Sequence, residues 1–340
     1  MSIIITQAEL KDTDEIMEFI NSYWKKEHIL AISKNFFLYE FKKEQKLNII
    51  IAKDDLSNQI LGFIGFFYYN SKDLPDLSGS IWKIRPDMES KLLGIKIRNH
   101  FVKTIKHRFF ATPGPGIHMK PVYKVMRMDW FQMSQYYFAN DSVKEYSLIS
   151  NPKIKLISRV NSSNIDIKRA MDIKNLEGFE FNNDIVPLKD LNYIEKKYFN
   201  HPIYEYHIYY ININCSIKNI FVCRQAHAEN SSAYRIVDFF GELDYIQEIV
   251  AFLDNYIKSN DIEYVDFICH GYDNNTLINA GFNKVDFEDC HTIIPNYFEP
   301  FIKKNIPIYC VSNKTNKTYR QHKADGDMDR PSTLGMLNGK

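Results

Sequence analysis

Residues 79–105 read GSIWKIRPDMESKLLGIKIRNHFVKTI. A β-rich run ends at Pro86, a polar turn crosses 87–91, and a helix opens at Gly94 with Ile97, Phe101, Val102 and Ile105 turned inward. Strand, exposed turn and helix N-terminus is how α/β proteins offer backbone N–H groups to a phosphate. A plain strand-to-helix connection has the same local pattern, and on these residues alone the two readings stand level.

Before this stretch, a short strand is expected at 2–6. Asp12 and Glu15 have capping-box spacing ahead of a helix bearing Ile16, Phe19, Ile20, Tyr23 and Trp24. A second helix is expected at 35–41, then strands at 47–52, 60–69 and 81–85. After the helix come a strand at 109–111, a helical turn at Tyr123 and a strand over 131–138. The same order recurs further on, with strands at 204–213, 218–224 and 234–240, a helix over 243–257, a strand at 263–270, a short helix and a strand near Val285. This is a repeat of architecture and not of sequence. At 340 residues two cores are expected, with domains at 1–148 and 149–332 and an unstructured tail at 333–340.

The net charge is +1 with basic residues dispersed, which disfavours a nucleic-acid partner. Cys215, Cys223, Cys269, Cys290 and Cys310 have no metal-type spacing, and most sit in apolar runs as core thiols. No signal peptide and no apolar run of about 20 residues are visible, so a cytoplasmic protein without a membrane span is expected. The spacing Asp325-x-Asp327-x-Asp329 invites a calcium reading, but Arg330 and Met336 stand where an EF-hand loop needs Gly and Glu. No metal site is expected.

The order of elements resembles the GNAT acyltransferases, whose acyl-CoA signature Q/R-x-x-G-x-G/A lies between the fourth strand and the third helix. Glu89–Gly94 matches in one register, with Leu92 at the first Gly and Glu89 at the Q/R; Lys91, Gly94 and Lys96 mark a second register. More specifically, the chain is similar to tandem-GNAT sugar N-acyltransferases of bacterial surface-polysaccharide pathways. That resemblance rests on WKKEHIL at 24–30, HPIY at 201–204, PNYFEPF at 295–301 and ADGDMDRP at 324–331.

The resemblance implies an α+β fold of two tandem GNAT-like domains, each a mixed, mostly antiparallel sheet flanked by helices. It implies transfer of an acetyl or 3-hydroxybutanoyl group from acyl-CoA to the amine of a dTDP-linked amino-deoxy sugar. Acyl-CoA would lie along Trp82, Lys83 and Ile84, with its pyrophosphate over Glu89, Lys91, Leu92, Gly94 and Lys96. Lys91, Lys96 and Arg98 surround this helix start, whereas Glu242 and Asp244 at the matching junction of the second half would repel a phosphate.

Tyr123 is implied as the proton donor to the leaving thiolate, the other reading being packing. His28 and His201 are candidates to bind or deprotonate the amine, or are structural. Asp325, Asp327 and Arg330 form either a solvated tail or a loop folded onto the substrate, carboxylates toward an ammonium and Arg330 toward a phosphate. Tyr297 either stacks on a base or sugar or makes a core corner between Pro295 and Pro300. Two rival functions stand beside this one: acylation of an aminoacyl or peptide amine, and ligand binding without catalysis on a decayed GNAT fold.

Overall fold

The computed structural model describes residues 2–157 and 165–333, without the side chains of Glu89, Ser90 and Lys91. The expected tail therefore lies, from 334 on, outside the described residues.

In the first half, β1 (Ile3–Glu9) leads into α1 (Thr13–Tyr23), and α2 (Lys34–Phe41) follows. The capping box forms earlier than expected: Asp12 accepts from the Glu9 N–H, and Glu15 instead meets Lys53 and the Ile60 N–H. Strands β2 (Lys46–Asp54), β3 (Ile60–Tyr68) and β4 (Asp76–Ile84) are antiparallel neighbours. Helix α3 (Leu93–Thr104) returns the chain to β5 (Phe109–Pro113), which runs parallel to β4. Ile97 and Phe101 of α3 are buried, whereas Val102 faces outward. The short α4 (Lys120–Val125) and β6 (Asp129–Gln132) follow. Helices α1 and α2 bury one face of the sheet through Ile16, Ile20, Phe37, Ile49 and Phe63; α3 covers the other through Ile97, Phe101, Ile64 and Phe66.

The strand expected over 131–138 is in fact two strands in two sheets. β6 ends at Gln132, buried Met133 makes the crossing, and β7 (Ser134–Ala139) joins the second sheet. Apolar residues buried on both sides of a crossing carry no local mark of where the sheet changes.

The second half holds β8 (Asp166–Ala170), β9 (His207–Ile213), β10 (Ser216–Ala228), β11 (Ser231–Phe240), α5 (Ile246–Ser259), β12 (Tyr264–His270), α6 (Asn274–Asn279) and β13 (Asn283–Lys284). Near the C-terminus come β14 (Tyr309–Ser312) and β15 (Gln321–His322). The first sheet runs β1-β2-β3-β4-β5-β14-β6, and the second β13-β7-β12-β11-β10-β9-β8. Each half therefore lends one strand to the other, β7 outward and β14 back. Neither sheet is confined to one side of residue 148. In each sheet one pair, β4–β5 or β11–β12, is parallel. The buried thiols Cys223, Cys269 and Cys310 are free, as are the exposed Cys215 and Cys290.

Candidate active site

Pairing between β4 and β5 covers Asp76↔Phe109, Leu77↔Phe110 and Ser78↔Ala111 and then stops. A register shift between Ile64 and Phe66 on β3 bends β4 away there. A Cβ at Gly79 would meet Thr112 Oγ1 at 2.6 Å, so glycine permits the close approach at the point of divergence. Beyond it, among the described residues, the edge of β4 toward β5 has no ladder partner as far as Ile84.

The chain then turns through a 3₁₀ segment (Pro86–Lys91) into Leu92, which has φ +53° and is 64% exposed. The first Gly of the acyl-CoA signature is thus replaced by a residue that keeps a left-handed backbone. Gly94 has no room for a side chain: a Cβ would lie 2.7 Å from Ile84 Cδ1 and 3.2 Å from Trp82 Cζ2. The N-terminus of α3 is consequently pressed against β4, beside Trp82, Lys83 and Ile84. Lys96 is exposed, and Arg98 is half-buried near Tyr123. The side chains of Glu89 and Lys91 lie outside the described residues. These features fit a pyrophosphate and pantetheine chain: a free strand edge, a helix N-terminus and a turn without obstructing carbon.

Opposite groups flank the free edge on the two faces of the sheet. On the α3 face, buried Tyr123 sits edge-on to Trp82 with ring centroids 6.4 Å apart and hydrogen bonds the Thr112 hydroxyl. Burial, with a contribution from Asp327, pushes its phenol above the usual range, although Thr112 and Arg98 pull the other way. It is therefore protonated at neutral pH and able to donate.

On the α2 face, Ser80 Oγ donates to Asp327 Oδ2 (3.0 Å) and accepts from Arg330 Nη2 (3.0 Å). Arg330 also pairs with Glu40 (2.6 Å) and Asp327 (3.4 Å). The loop carrying these groups lies over the base of the splay because Gly326 (φ +57°) leaves space where a Cβ would strike Pro113 Cγ and Ser78 Oγ, each at 2.6 Å.

His28, Tyr297, Asp327 and Arg330 come together around one cavity of about 280 Å³, which also includes Gly114, Lys323 and Trp24. Tyr297 remains 39% exposed at its wall while its neighbour Phe298 is buried. His201 faces a different cleft, and Asp325 lines neither.

Three expected roles change. His28 Nδ1 accepts from the Leu30 N–H (3.2 Å), and His201 Nδ1 accepts from the N–H groups of Ile203 (3.2 Å) and Tyr204 (2.8 Å). Burial lowers each pKa to about 3, with Arg330 adding to the effect at His28 and Lys197 at His201. Both imidazoles are thus neutral, with Nδ1 occupied and Nε2–H left as a donor. They cap local turns and do not take a proton from an amine. Asp325 is fully buried and pairs with Lys189 (2.6 Å), which removes it from substrate contact. The Arg330 guanidinium is already neutralised by Glu40 and Asp327, and its side chain is only 5% exposed.

Sequence reasoning did not single out Ser80, Thr112, Glu40 or Lys323. Lone hydroxyls and charges carry no local signal; each matters through partners distant in the chain. Lys323 is a buried ammonium that donates to Met328 O (2.7 Å) and has no ion pair among the described residues. Burial lowers its pKa to about 8, with Arg235 and Arg224 also lowering it against Asp329 and Asp266.

The matching splay of the second half is filled. Pairing of β11 with β12 runs from Ala233↔Tyr264 to Ile236↔Phe267, after which β15 pairs with β12 at Cys269↔His322 and His270↔Gln321. The Ala324 N–H donates to Val237 O (2.8 Å), tying the insert to the other wall. Beneath it, Lys189 Nζ lies 2.6 Å from carboxylate oxygens of both Asp238 and Asp325 and 3.2 Å from His322 Nδ1. Asp238, His322 and Asp325 are spaced for a metal ion, but the Lys189 ammonium already sits against both carboxylates. Burial opposes that charge, yet the two carboxylates outweigh it and raise the Lys189 pKa.

No family model matches the sequence, and no curated protein matches it either. Among solved structures, a conserved protein of unknown function from Enterococcus faecalis is similar at TM-score 0.58 and 12% identity, covering 84% of this chain and 70% of that one. A GCN5-related N-acetyltransferase from Anabaena variabilis is similar at TM-score 0.56 and 11% identity, covering 92% and 72%. The GCN5-related glucosamine N-acetyltransferase region of a fungal multi-domain β-N-acetylglucosaminidase is similar at TM-score 0.52 and 11% identity, covering 92% and 38%. Identities this low speak to the fold. The chain has a tandem GNAT-like fold, an α+β arrangement of two mostly antiparallel sheets flanked by helices, like that of the GCN5-related N-acetyltransferases.

Proposed function

We propose that the protein is an acyl-CoA-dependent N-acyltransferase whose acceptor is the amine of a nucleotide-linked, dTDP-type amino-deoxy sugar used in surface-polysaccharide synthesis. The observation that carries the reading is the free edge of β4, with Tyr123 on one face and the Asp327–Ser80–Arg330 relay on the other. Acyl-CoA, as donor substrate, supplies an activated thioester. The backbone around Leu92 and Gly94 holds its pyrophosphate, and Trp82 and Ile84 orient the chain beside them.

Asp327 Oδ2, fixed by the Ser80 hydroxyl and Arg330, holds the acceptor ammonium and passes its proton to solvent, since only a neutral amine attacks. N–H groups along the free edge stabilise negative charge on the carbonyl oxygen. Tyr123 Oη delivers a proton to the sulfur as the C–S bond breaks.

Two features favour a phosphate-bearing amino sugar. The buried Lys323 ammonium lacks an ion-paired carboxylate among the described residues, so an anion entering this cavity gains a partner there. Tyr297 offers a ring face at the wall. The fungal structure similar to this chain is a glucosamine N-acetyltransferase region, in which the acceptor is an amino sugar.

The test is thermal shift with CoA, followed by thiol release from acetyl- and 3-hydroxybutanoyl-CoA across dTDP- and UDP-amino sugars. Stabilisation by CoA and thiol release with at least one dTDP-amino sugar are expected. A folded sample that CoA does not stabilise, and that releases no thiol with any amino sugar, contradicts the reading.

A further inference from the structure

A second cleft of about 430 Å³ lies between the halves, with Gly326 and Asp329, on either side of Asp327 in the C-terminal loop, on its wall. Lys42, Lys43 and Lys72 line it from the first half, and Lys196 and Lys197 from the second. Among the described residues none of the five forms an ion pair. The acids on its walls are already engaged. Glu40 pairs with Arg330, Asp329 is gripped by the Arg224 fork, and Asp190 accepts from the N–H groups of Ser71 and Tyr193.

Lys197 donates to Gly326 O (2.8 Å), and burial lowers its pKa despite nearby carboxylates. Lys43 Nζ stands 3.6 Å over the Tyr68 ring and Lys196 Nζ 5.6 Å over Tyr39, and among the described residues neither forms an ion pair. Asn48, only 3% exposed, also lines the cleft, and its Oδ1 has no hydrogen-bond partner.

Five cations on two facing walls repel one another across the seam of the molecule. The acids beside them, Glu40 and Asp329, are held by Arg330 and Arg224, so the cluster still has room for a further counter-charge. Inorganic ions from solution would screen the outer lysines, but the orphaned carbonyl of Asn48 calls for a hydrogen-bond donor as well. A ligand satisfying both carries two or more phosphates and a group with an N–H or O–H.

We infer that the cleft between the halves is a second binding site, for a polyphosphate-bearing small molecule of the nucleotide class, bridging Lys43 and Lys72 of the first half to Lys196 and Lys197 of the second. It meets the acceptor cavity only at Asp329 among their lining residues and does not depend on the acyl-transfer reading. Occupation of the cleft would draw the two halves together by cancelling the charge at their seam.

The full chain is titrated calorimetrically with pyrophosphate, with thymidine diphosphate and with thymidine. The comparison variants are Lys43→Gln/Lys72→Gln, both on exposed side chains, and Lys323→Gln in the acceptor cavity. Pyrophosphate and thymidine diphosphate are expected to bind wild type, thymidine not measurably. The double variant should weaken both about tenfold or more, a larger effect on pyrophosphate than that of Lys323→Gln. CoA affinity should not change in the double variant. The inference is overturned if pyrophosphate binding survives the double substitution, if it is Lys323→Gln that abolishes it, or if neither phosphate probe binds. Should the double variant prove unstable, Lys196→Gln provides the same comparison from the other wall.

Discussion

The two parallel strand pairs begin alike and end differently. In the first sheet β4 and β5 part after Ser78 and the edge of β4 stays free. In the second, β11 and β12 part after Ile236, and β15 with Ala324 fills the gap from the chain's own C-terminal segment. The junctions differ in the same sense. Gly94 brings a helix N-terminus against β4, whereas Glu242 and Asp244 bring carboxylates to the helical start after β11. One fold repeated thus separates two tasks. The open splay presents a backbone edge, and the filled one anchors the segment that delivers Asp327 and Arg330 to that edge.

The largest effect is expected from breaking the anchor. Lys189→Met leaves Asp238 and Asp325 facing each other in a buried site and should cost about 3–5 kcal/mol in urea unfolding. If the segment anchors the site, conditions that keep the variant folded should also show weakened acceptor binding. Tyr123→Phe acts on the open splay alone: turnover should fall about 10²–10⁴-fold with CoA affinity unchanged. Equal turnover would remove Tyr123 from the proton path.

The pH response separates structural from chemical histidines. His28 is held neutral in the fold, its pKa lowered to about 3 from 6.5, so its stabilising effect is complete above pH 6.5 and is lost as pH falls toward 3. At pH 5 the loss amounts to about 2 kcal/mol. His28→Asn, which can keep the cap to the Leu30 N–H, should show a correspondingly shallower fall between pH 7.5 and 5. The smallest effect is expected at Leu92, whose left-handed backbone and exposed side chain make Leu92→Gly neutral or stabilising by about 1 kcal/mol. CoA should bind that variant at least as tightly; weaker binding would mean that the leucine side chain itself contacts the ligand.

Elements built from short-range patterns were legible in the sequence. The apolar spacing of Ile97 and Phe101 marked α3, whereas the close approach of Gly94 to Trp82 and Ile84 was not read from the sequence. The contrast between Lys96 and Arg98 on one side and Glu242 and Asp244 on the other was also plain in the sequence. What escaped notice depends on pairing between distant residues. The crossing at Met133, the return of β14 and the insertion of β15 are invisible in a run of alternating apolar residues. For the same reason Asp325 and Asp327 looked equivalent in sequence, although one is sealed beside Lys189 and the other meets Ser80.

The central claim, one open splay and one filled, is tested most directly by calorimetric titration of the full chain with CoA. The account predicts one CoA site at the open splay, weakened about tenfold or more by Gly94→Val in a sample that remains folded, because the added side chain pushes α3 from Trp82 and Ile84. A second site that survives Lys43→Gln/Lys72→Gln, or binding indifferent to Gly94→Val, would contradict it.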